Sequence, residues 1–168
     1  MYPKKSMTQV TARNSSPAAS NRRFQVRRSS VHGRGVFAVA PIARDELIIE
    51  YTGEVIGWPE ALRRHPHDPE DPNHTFYFSL EGGKVIDAKV GGNSSRWINH
   101  ACEPNCQADE TDGRVFIRAL RDLQPGDELF YDYGLVLDER QTAKLKKQYA
   151  CRCGSPACRG TMLAPKSR

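Results

Sequence analysis

The cysteines of this sequence fall into two groups far apart along the chain, and they constrain its fold more than any other feature. Cys151, Cys153 and Cys158 form the pattern Cys-x-Cys-x4-Cys near the end of the chain. A structural zinc ion takes four ligands arranged as a tetrahedron. A fourth ligand must therefore come from elsewhere, and Cys102 and Cys106 are the remaining cysteines. We expect one structural zinc ion to tie the end of the chain to this earlier segment, and the spacing does not decide between Cys102 and Cys106.

The cellular compartment bears on this interpretation of the cysteines. The sequence has no run of about 18 apolar residues that would span a membrane, and its first residues lack the apolar core of a signal peptide. We therefore expect an intracellular protein without a membrane segment, in the cytoplasm or nucleoid of a bacterium or in a eukaryotic nucleus. In such a reducing compartment, five cysteines favour metal ligands over disulfides or free thiols, and the odd number would leave one unpaired.

The length and the charge distribution predict one folded domain with tails. The 168 residues are 38% hydrophobic, which suits a single core. Residues 1–44 contain nine Lys or Arg and no Asp or Glu, whereas residues 45–168 contain sixteen basic and twenty acidic residues. We predict a disordered basic leader over residues 1–21, because it has almost nothing apolar to bury. The leader is either an arm that contacts nucleic acid or chromatin, or a solvated tail.

The segment 96–106, Arg-Trp-Ile-Asn-His-Ala-Cys-Glu-Pro-Asn-Cys, concentrates polar and metal-binding side chains. Such a density is costly in a core unless every group finds a partner, which indicates a binding site. A neutral histidine at position 100 can orient a loop, act as a base or contact a ligand. A structural hydrogen-bonded turn at Asn99-His100 explains these two residues equally well.

Most of the remaining chain has the pattern of short β-strands separated by Gly, Pro and Asp. The predicted strands lie around residues 24–26, 36–39, 47–51, 75–80, 84–88, 114–120 and 128–134. Glu81-Gly82-Gly83 predicts a hairpin between two of them. We expect one or two helical turns after Pro59 and a helix within residues 135–149. The sequence therefore predicts a mainly β fold with a few short helices, and the long helices of a parallel α/β fold are missing.

A proline-rich insert over residues 57–75 interrupts the strand pattern. It contains His65, His67 and His74. These histidines could bind metal, but no cysteine lies near them in the sequence and four prolines break up the segment. We therefore interpret them as surface residues.

Three tyrosines are candidates for a functional site. Tyr131 and Tyr133 share one face of a predicted strand that ends at Gly134, and Tyr51 ends another predicted strand. The end of a strand is a suitable place to present phenol groups to a cavity. Tyrosines on strands are usually part of the core, however, and the periodicity leaves both interpretations open.

The ordered set of motifs resembles the SET-domain protein lysine methyltransferases that carry a post-SET zinc motif. The motifs are Gly33-x-Gly35, Tyr51-x-Gly53, Arg96-x-x-Asn99-His100-x-Cys102-x-Pro104-Asn105-Cys106, Glu128-Leu129-x-Tyr131-Asp132-Tyr133-Gly134 and Cys151-x-Cys153-x4-Cys158. The resemblance covers roughly residues 24–160. It implies the SET-domain (β-clip) fold of small sheets, in which two stretches of the chain thread into a pseudoknot. It implies a SET domain over residues 22–134 and a C-terminal helix with a zinc-binding tail over residues 135–168.

The resemblance also assigns roles to residues. It implies that Arg34, Gly35, Asn99 and His100 bind S-adenosylmethionine. Tyr51, Tyr131 and Tyr133 would line the channel for the substrate lysine, with Tyr133 as the main catalytic residue. Cys106, Cys151, Cys153 and Cys158 would hold the zinc ion, so that Cys102 would not be a ligand.

The implied reaction is methyl transfer to the ε-amine of a lysine in a histone or another protein, such as a nucleoid protein. The enzyme must align the reacting atoms within about 3–3.5 Å and exclude water. The lysine, whose ordinary pKa is about 10.4, must lose its proton, and burial in an aromatic channel beside a cation favours this. A tyrosine at position 131 implies mainly mono-methylation with some di-methylation.

Two alternatives from other functional classes remain. A catalytically silent SET-like module would bind a protein tail through the same groove, but Tyr133, Asn99 and His100 argue against it. A zinc-stabilised nucleic-acid-binding protein would use the basic leader, but the domain itself has more acidic than basic residues.

Overall fold

The computed structural model describes residues 22–65 and 75–165. The predicted leader over residues 1–21 therefore lies outside the described residues. The same holds for residues 66–74, which include His67 and His74, and for residues 166–168.

Short strands dominate the described residues, as predicted. The strands are β1 Phe24–Arg28, β2 Arg34–Ala38, β3 Leu47–Tyr51, β4 Glu54–Gly57, β5 Tyr77–Leu80, β6 Lys84–Asp87, β7 Asn99–His100, β8 Cys106–Thr111, β9 Arg114–Ala119 and β10 Phe130–Tyr131. The helices are α1 Trp58–Arg64 and α2 Ala143–Gln148, with a 3-10 turn at Ser94–Trp97. Neither helix in the described ranges is long and apolar enough to cross a membrane.

The strands form four small sheets, not one large one. Strands β1 and β2 pair antiparallel, β3-β9-β8 and β4-β6-β5 form two three-stranded sheets, and β7 pairs with β10 in parallel. The fold is therefore mainly β with few short helices, which confirms the predicted class. The predicted hairpin is confirmed as β5 and β6, and Gly82 and Gly83 adopt the positive φ angles, 78° and 77°, that its turn requires.

Strand β8 was not predicted from the sequence, because its Cys-Gln-Ala-Asp-Glu-Thr run has no aromatic residue and only one β-branched residue, Thr111. It forms because it pairs along its whole length with β9. The connecting Asp112-Gly113 turn has positive φ at both residues, 51° and 72°, as tight hairpin turns require. Tertiary pairing here outweighs intrinsic propensity.

The predicted strand 128–134 and helix 135–149 are both shorter in the structure. The strand is reduced to β10, since its partner β7 is only two residues long. The helix begins at Ala143, where the Thr142 side chain accepts a hydrogen bond from the Leu145 amide at 3.1 Å. Before this cap the chain is not helical, because Leu135 forms a parallel bridge with Leu163.

The pairing of β7 with β10 lies at the centre of the molecule and corresponds to the expected pseudoknot. Asn99 lies opposite Phe130, and His100 lies opposite Tyr131. The buried side chain of Asn105 supports the crossing: it donates to the Glu128 carbonyl at 2.7 Å and accepts from the Phe130 amide at 2.8 Å. The main apolar core packs around this crossing. Its buried members include Val36, Ile42, Ile98, Cys106, Ile117, Leu123 and Leu129.

We expect Gly53→Ala to destabilise the protein by about 2 kcal/mol or more, because an added methyl group would force backbone to move. A Cβ atom at Gly53 would lie 2.5 Å from the Asp87 carbonyl oxygen and 2.7 Å from the Ala88 Cα. The measurement is urea unfolding monitored by circular dichroism. Gly57→Ala is the control, since its Cβ would lie 3.6 Å from the Pro59 Cδ, and it should lose at most about 1 kcal/mol of helix-capping preference. Equal losses in the two variants would contradict this account.

Candidate active site and cysteine cluster

A cavity of about 830 Å³ collects most of the predicted site residues. Its wall contains Tyr51, Tyr131 and Tyr133 from the strand ends, Asn99 and His100 from β7, and Val31 and His32 from the loop after β1. The C-terminal tail, which we define as residues 135–165, supplies Leu135, Val136, Leu137, Tyr149, Cys151 and Met162. The cavity therefore lies between the core of the protein and its tail, and its size suits a small-molecule ligand.

Tyr51 and Tyr133 are held by hydrogen bonds to backbone carbonyls. The Tyr51 hydroxyl donates to the Phe76 carbonyl at 3.0 Å, and the Tyr133 hydroxyl donates to the Ile98 carbonyl at 2.8 Å. Since each phenol proton is already used, each oxygen keeps its lone pairs to accept a hydrogen bond from a ligand N–H. These two side chains can therefore orient an amine.

All three tyrosines stay protonated at neutral pH. Burial is the main cause that raises the pKa of each phenol well above its ordinary value, and the charge that a neighbouring tyrosine would carry adds to it for Tyr51 and Tyr131. A phenol with a raised pKa is a poor general base. The tyrosines therefore act by position and hydrogen bonding, not by removing a proton.

Tyr131 differs from the other two because its hydroxyl has no hydrogen-bond partner within the described residues. Its ring lies 4.9 Å from the Tyr133 ring and 6.2 Å from the Phe78 ring, measured between centroids. The ring is thus fixed by packing while its hydroxyl remains available to a ligand amine or a water molecule.

The Asn99 side chain fixes the loop between β1 and β2. Its amide nitrogen lies 2.8 Å from the Arg34 carbonyl oxygen, 3.0 Å from Glu128 Oε1 and 3.2 Å from the His32 carbonyl oxygen. The other Glu128 oxygen accepts the Ser29 hydroxyl at 3.0 Å. One carboxylate therefore joins this loop to β7.

Arg34 and Gly35, predicted to offer backbone to a cofactor, border this junction but do not line the cavity. The Arg34 guanidinium stacks on the Trp97 ring at 5.1 Å. A Cβ atom at Gly35 would lie 2.1 Å from Glu128 Oε1, so the glycine makes room for that carboxylate. The loop residues that do reach the cavity are Val31 and His32.

His100 connects the cavity to the cysteines. Its Nδ1 accepts the Tyr133 backbone amide at 3.1 Å, and its Nε2 lies 3.5 Å from the Cys102 sulfur. A backbone N–H can only donate, so Nδ1 carries no proton and Nε2 donates to the sulfur. Burial lowers the pKa of His100 to about 4, although the Asp132 carboxylate acts in the opposite direction. The ring is therefore neutral at pH 7.

The structure brings Cys102, Cys151, Cys153 and Cys158 together, with all four sulfur atoms within 4.8 Å of one another. The Cys102 sulfur lies 3.7 Å from that of Cys151 and 3.9 Å from that of Cys158. Thiolates at about 2.3 Å from a tetrahedral zinc ion lie about 3.8 Å apart. The four residues therefore fit a zinc ion.

The structure corrects the expectation that Cys106 is a zinc ligand. Its side chain is fully buried among apolar residues of the main core, at the start of β8, and its sulfur is not part of the cluster. Burial raises the pKa of the Cys106 thiol to about 12. The structure places Cys102 with the other three cysteines, so the choice made by resemblance between Cys102 and Cys106 was wrong.

Backbone amides point at the sulfur atoms of the cluster. Arg159 N donates to Cys102 at 3.4 Å, Cys153 N to Cys151 at 3.4 Å and Gly160 N to Cys158 at 3.3 Å. Such donors stabilise negative charge on sulfur. This arrangement supports the four clustered cysteines as the ligands of a bound metal ion.

Sequence reasoning missed several residues around the cavity. Trp58 and Leu62 are exposed on α1 and line its outer part. Arg96 lines it as well, with its guanidinium 5.1 Å from the Trp97 ring centroid. The alternation of apolar residues in α1 is too short to reveal a site, and Arg96 had no expected role beyond its place in a motif.

We expect Cys102→Ser to lower the zinc content below one ion per chain, whereas Cys106→Ser should retain it. The reason is that only the first substitution removes a sulfur atom from the cluster. Metal analysis after dialysis against a weak chelator measures the difference. Loss of zinc from Cys106→Ser alone would return Cys106 to the ligand set, and equal zinc content in the two variants would contradict the assignment of Cys102.

Comparison with known families and proteins agrees with this geometry. The family model described as SET domain matches residues 33–134. The "Histone-lysine N-methyltransferase, H3 lysine-4 specific" of Kluyveromyces lactis is 41% identical over 138 residues, which cover 79% of this chain and 13% of the relative. The "Histone-lysine N-methyltransferase trithorax" of Drosophila virilis is 35% identical over 136 residues, covering 79% of this chain and 3% of the relative. The chain thus spans a small part of the length of these relatives.

Solved structures show the same architecture. A crystal structure of the Chaetomium thermophilum polycomb repressive complex 2 aligns with a TM-score of 0.62 and 32% identity, over 68% of this chain and 16% of that chain. A second structure, described as ctPRC2 in an autoinhibited conformation bound to S-adenosylmethionine, aligns with a TM-score of 0.60 and 34% identity, over 66% of this chain and 15% of that chain. The family model spans more than half of this chain, and the alignment with the Kluyveromyces relative covers 79% of it. This chain therefore belongs to the SET domain family.

Proposed function

We propose that this chain is an S-adenosylmethionine-dependent protein lysine methyltransferase. The observation that carries the proposal is the meeting of Tyr51, Tyr131 and Tyr133 with Asn99 and His100 on one cavity that the C-terminal tail closes. Relatives named as histone-lysine methyltransferases and a neighbour described as bound to S-adenosylmethionine support the same reaction. We take histone H3 as the first substrate to test, because several relatives are named for its lysine 4.

The proposed cofactor residues are His32, Asn99 and His100, with Arg34 and Gly35 acting through the loop that precedes them. S-adenosylmethionine would supply the electrophilic methyl group. Asn99 holds the loop carbonyls in place, and the neutral His100 ring keeps its orientation through the Tyr133 amide. This support pre-forms one wall of the cavity before any ligand binds.

The proposed lysine channel is formed by the tyrosines. Tyr51 and Tyr133 present oxygen lone pairs, because their protons are donated to the Phe76 and Ile98 carbonyls. A lysine amine whose N–H groups point at these oxygens directs its own lone pair elsewhere, toward the methyl donor. The desolvated aromatic surroundings favour the neutral amine that the reaction needs.

The proposed zinc site consists of Cys102, Cys151, Cys153 and Cys158. Zinc binding would stabilise the tail, which has little apolar core of its own, because metal-binding free energy is folding free energy in such segments. The role of the zinc ion is therefore structural.

A catalytically silent binding module is the alternative function. Its strongest support is the outer rim of the cavity, where Trp58 and Leu62 are exposed. The alternative leaves unexplained why three tyrosines line the same cavity, one of them with a hydroxyl that has no hydrogen-bond partner among the described residues, so we favour the enzyme.

We expect Tyr133→Phe to lower kcat by at least about a hundredfold with little change in stability, because it removes an oriented acceptor at the reacting amine. The assay is transfer of labelled methyl groups from S-adenosylmethionine to histone H3, other histones and a lysate. Tyr77→Phe is the comparison variant. Tyr77 also lines the cavity, but its hydroxyl donates to the Ala61 carbonyl at 2.9 Å and anchors α1, so its loss should lower kcat far less. No transfer by the wild type to any protein, or equal rates in the wild type and Tyr133→Phe, would favour the silent module.

We expect the wild-type chain to yield mainly mono-methylated lysine with some di-methylated product, and Tyr131→Phe to shift the product toward higher methylation. The Tyr131 hydroxyl can hold the amine or a water molecule, which leaves less room for a methylated amine to turn. Mass spectrometry of the product peptide at completion measures the distribution. Abundant tri-methylated product from the wild-type chain would contradict this assignment, as would an unchanged distribution in Tyr131→Phe.

A further inference from the structure

A bidentate ion pair joins the C-terminal tail to the strand end that carries the tyrosines. Arg159 Nη1 lies 2.8 Å from Asp132 Oδ2, and Arg159 Nη2 lies 2.9 Å from Asp132 Oδ1. The two side chains are only 24% and 33% exposed. Paired hydrogen bonds of this kind are stronger and more directional than ordinary surface ion pairs.

The two partners lie in segments that border the cavity and the cysteine cluster. Asp132 lies in the sequence between Tyr131 and Tyr133, which both line the cavity. Arg159 directly follows Cys158, and its backbone amide donates to the Cys102 sulfur at 3.4 Å. Arg159 therefore contacts the cysteine cluster through its backbone and the tyrosine segment through its side chain.

Asp132 also fixes the point at which the chain leaves the cavity wall and enters the tail. Its Oδ1 accepts the Gly134 amide at 3.0 Å, and Gly134 has a φ angle of 53°, which favours glycine. From this turn the chain continues to Leu135, whose amide donates to the Met162 carbonyl at 3.2 Å. The ion pair thus closes the base of the tail next to residues that line the cavity.

We propose that the Asp132–Arg159 pair is a latch: together with the cysteine cluster it positions the tail over the cavity, and it thereby sets the affinity for S-adenosylmethionine. This inference rests on the proposed function. Asp132 and Arg159 are positioning residues, since they act through Gly134, Leu135 and Met162 rather than on the reacting atoms. The methyl-transfer step itself does not depend on them once the cofactor is bound.

The test compares Asp132→Asn and Arg159→Lys with Arg114→Lys in protein that contains one zinc ion per chain. Arg114 is the matched control because it also pairs with a carboxylate through two bonds, to Glu50 at 2.7 and 2.9 Å, but on an exposed sheet surface. Binding of S-adenosylhomocysteine is measured by calorimetry. Hydrogen exchange of the Leu135 and Met162 amides, read by mass spectrometry, reports opening of the tail without requiring any activity.

We expect each latch variant to bind S-adenosylhomocysteine about tenfold more weakly and to exchange the tail amides about tenfold faster, with zinc content retained. In activity assays KM for the cofactor should rise while kcat at saturation stays near the wild-type value. The double variant should bind S-adenosylhomocysteine no more weakly than the weaker-binding single variant, because both substitutions break the same pair. Arg114→Lys should leave both readouts unchanged.

Two results would overturn the latch. One is wild-type affinity and wild-type exchange in Asp132→Asn. The other is a weakening in the latch variants that follows loss of zinc, which would assign the effect to the cluster. If the wild-type chain binds no S-adenosylhomocysteine, the proposed function fails. Faster exchange of the Leu135 and Met162 amides in the variants would even then show that the pair holds the tail in place.

Discussion

The parallel pairing of β7 with β10 is the interaction on which the rest of the structure depends. It is only two residue pairs long, yet it places Asn99 and His100 beside Phe130 and Tyr131. So short a ladder contributes little by itself, and the Asn105 side chain and the surrounding apolar core hold it in register. Because residues about thirty positions apart meet here, a shift of this pair would displace the loop contacts of Asn99 and the tyrosines together.

The second constraint is the attachment of the C-terminal tail, which forms one wall of the cavity but has little core of its own. Its attachment to the rest of the protein uses the Cys102 sulfur and the Asp132–Arg159 pair, which meet at Arg159. His100 extends this attachment to the cavity, since one ring nitrogen faces the Cys102 sulfur and the other accepts the Tyr133 amide. Ordering of the tail and the shape of the cavity are therefore physically coupled.

The sequence predicted most of the residue types at the site but not their exact partners. The fold class and the hairpin followed from strand patterns, because these features are local. The meeting of the tyrosines with Asn99 and His100 was implied only by the resemblance to a family, since the periodicity left core and cavity positions equally open. The division into a leader, a SET domain and a tail remains a prediction. The choice of Cys106 over Cys102 failed, because four residues of separation do not reveal which side chain turns into the core. Arg159 escaped notice because its partner is 27 positions away and only the folded chain brings the two together.

We infer that a metal-ordered tail completes the cofactor site, and cofactor binding to the chain with and without zinc tests this inference. Calorimetric titration with S-adenosylhomocysteine would be performed on zinc-loaded protein, on the same protein after chelation, and after zinc is restored. The account predicts that chelation weakens binding by at least about tenfold, that zinc restores it, and that far-ultraviolet circular dichroism shows the β domain still folded. Unchanged affinity after complete removal of zinc, with the domain intact, would contradict the account.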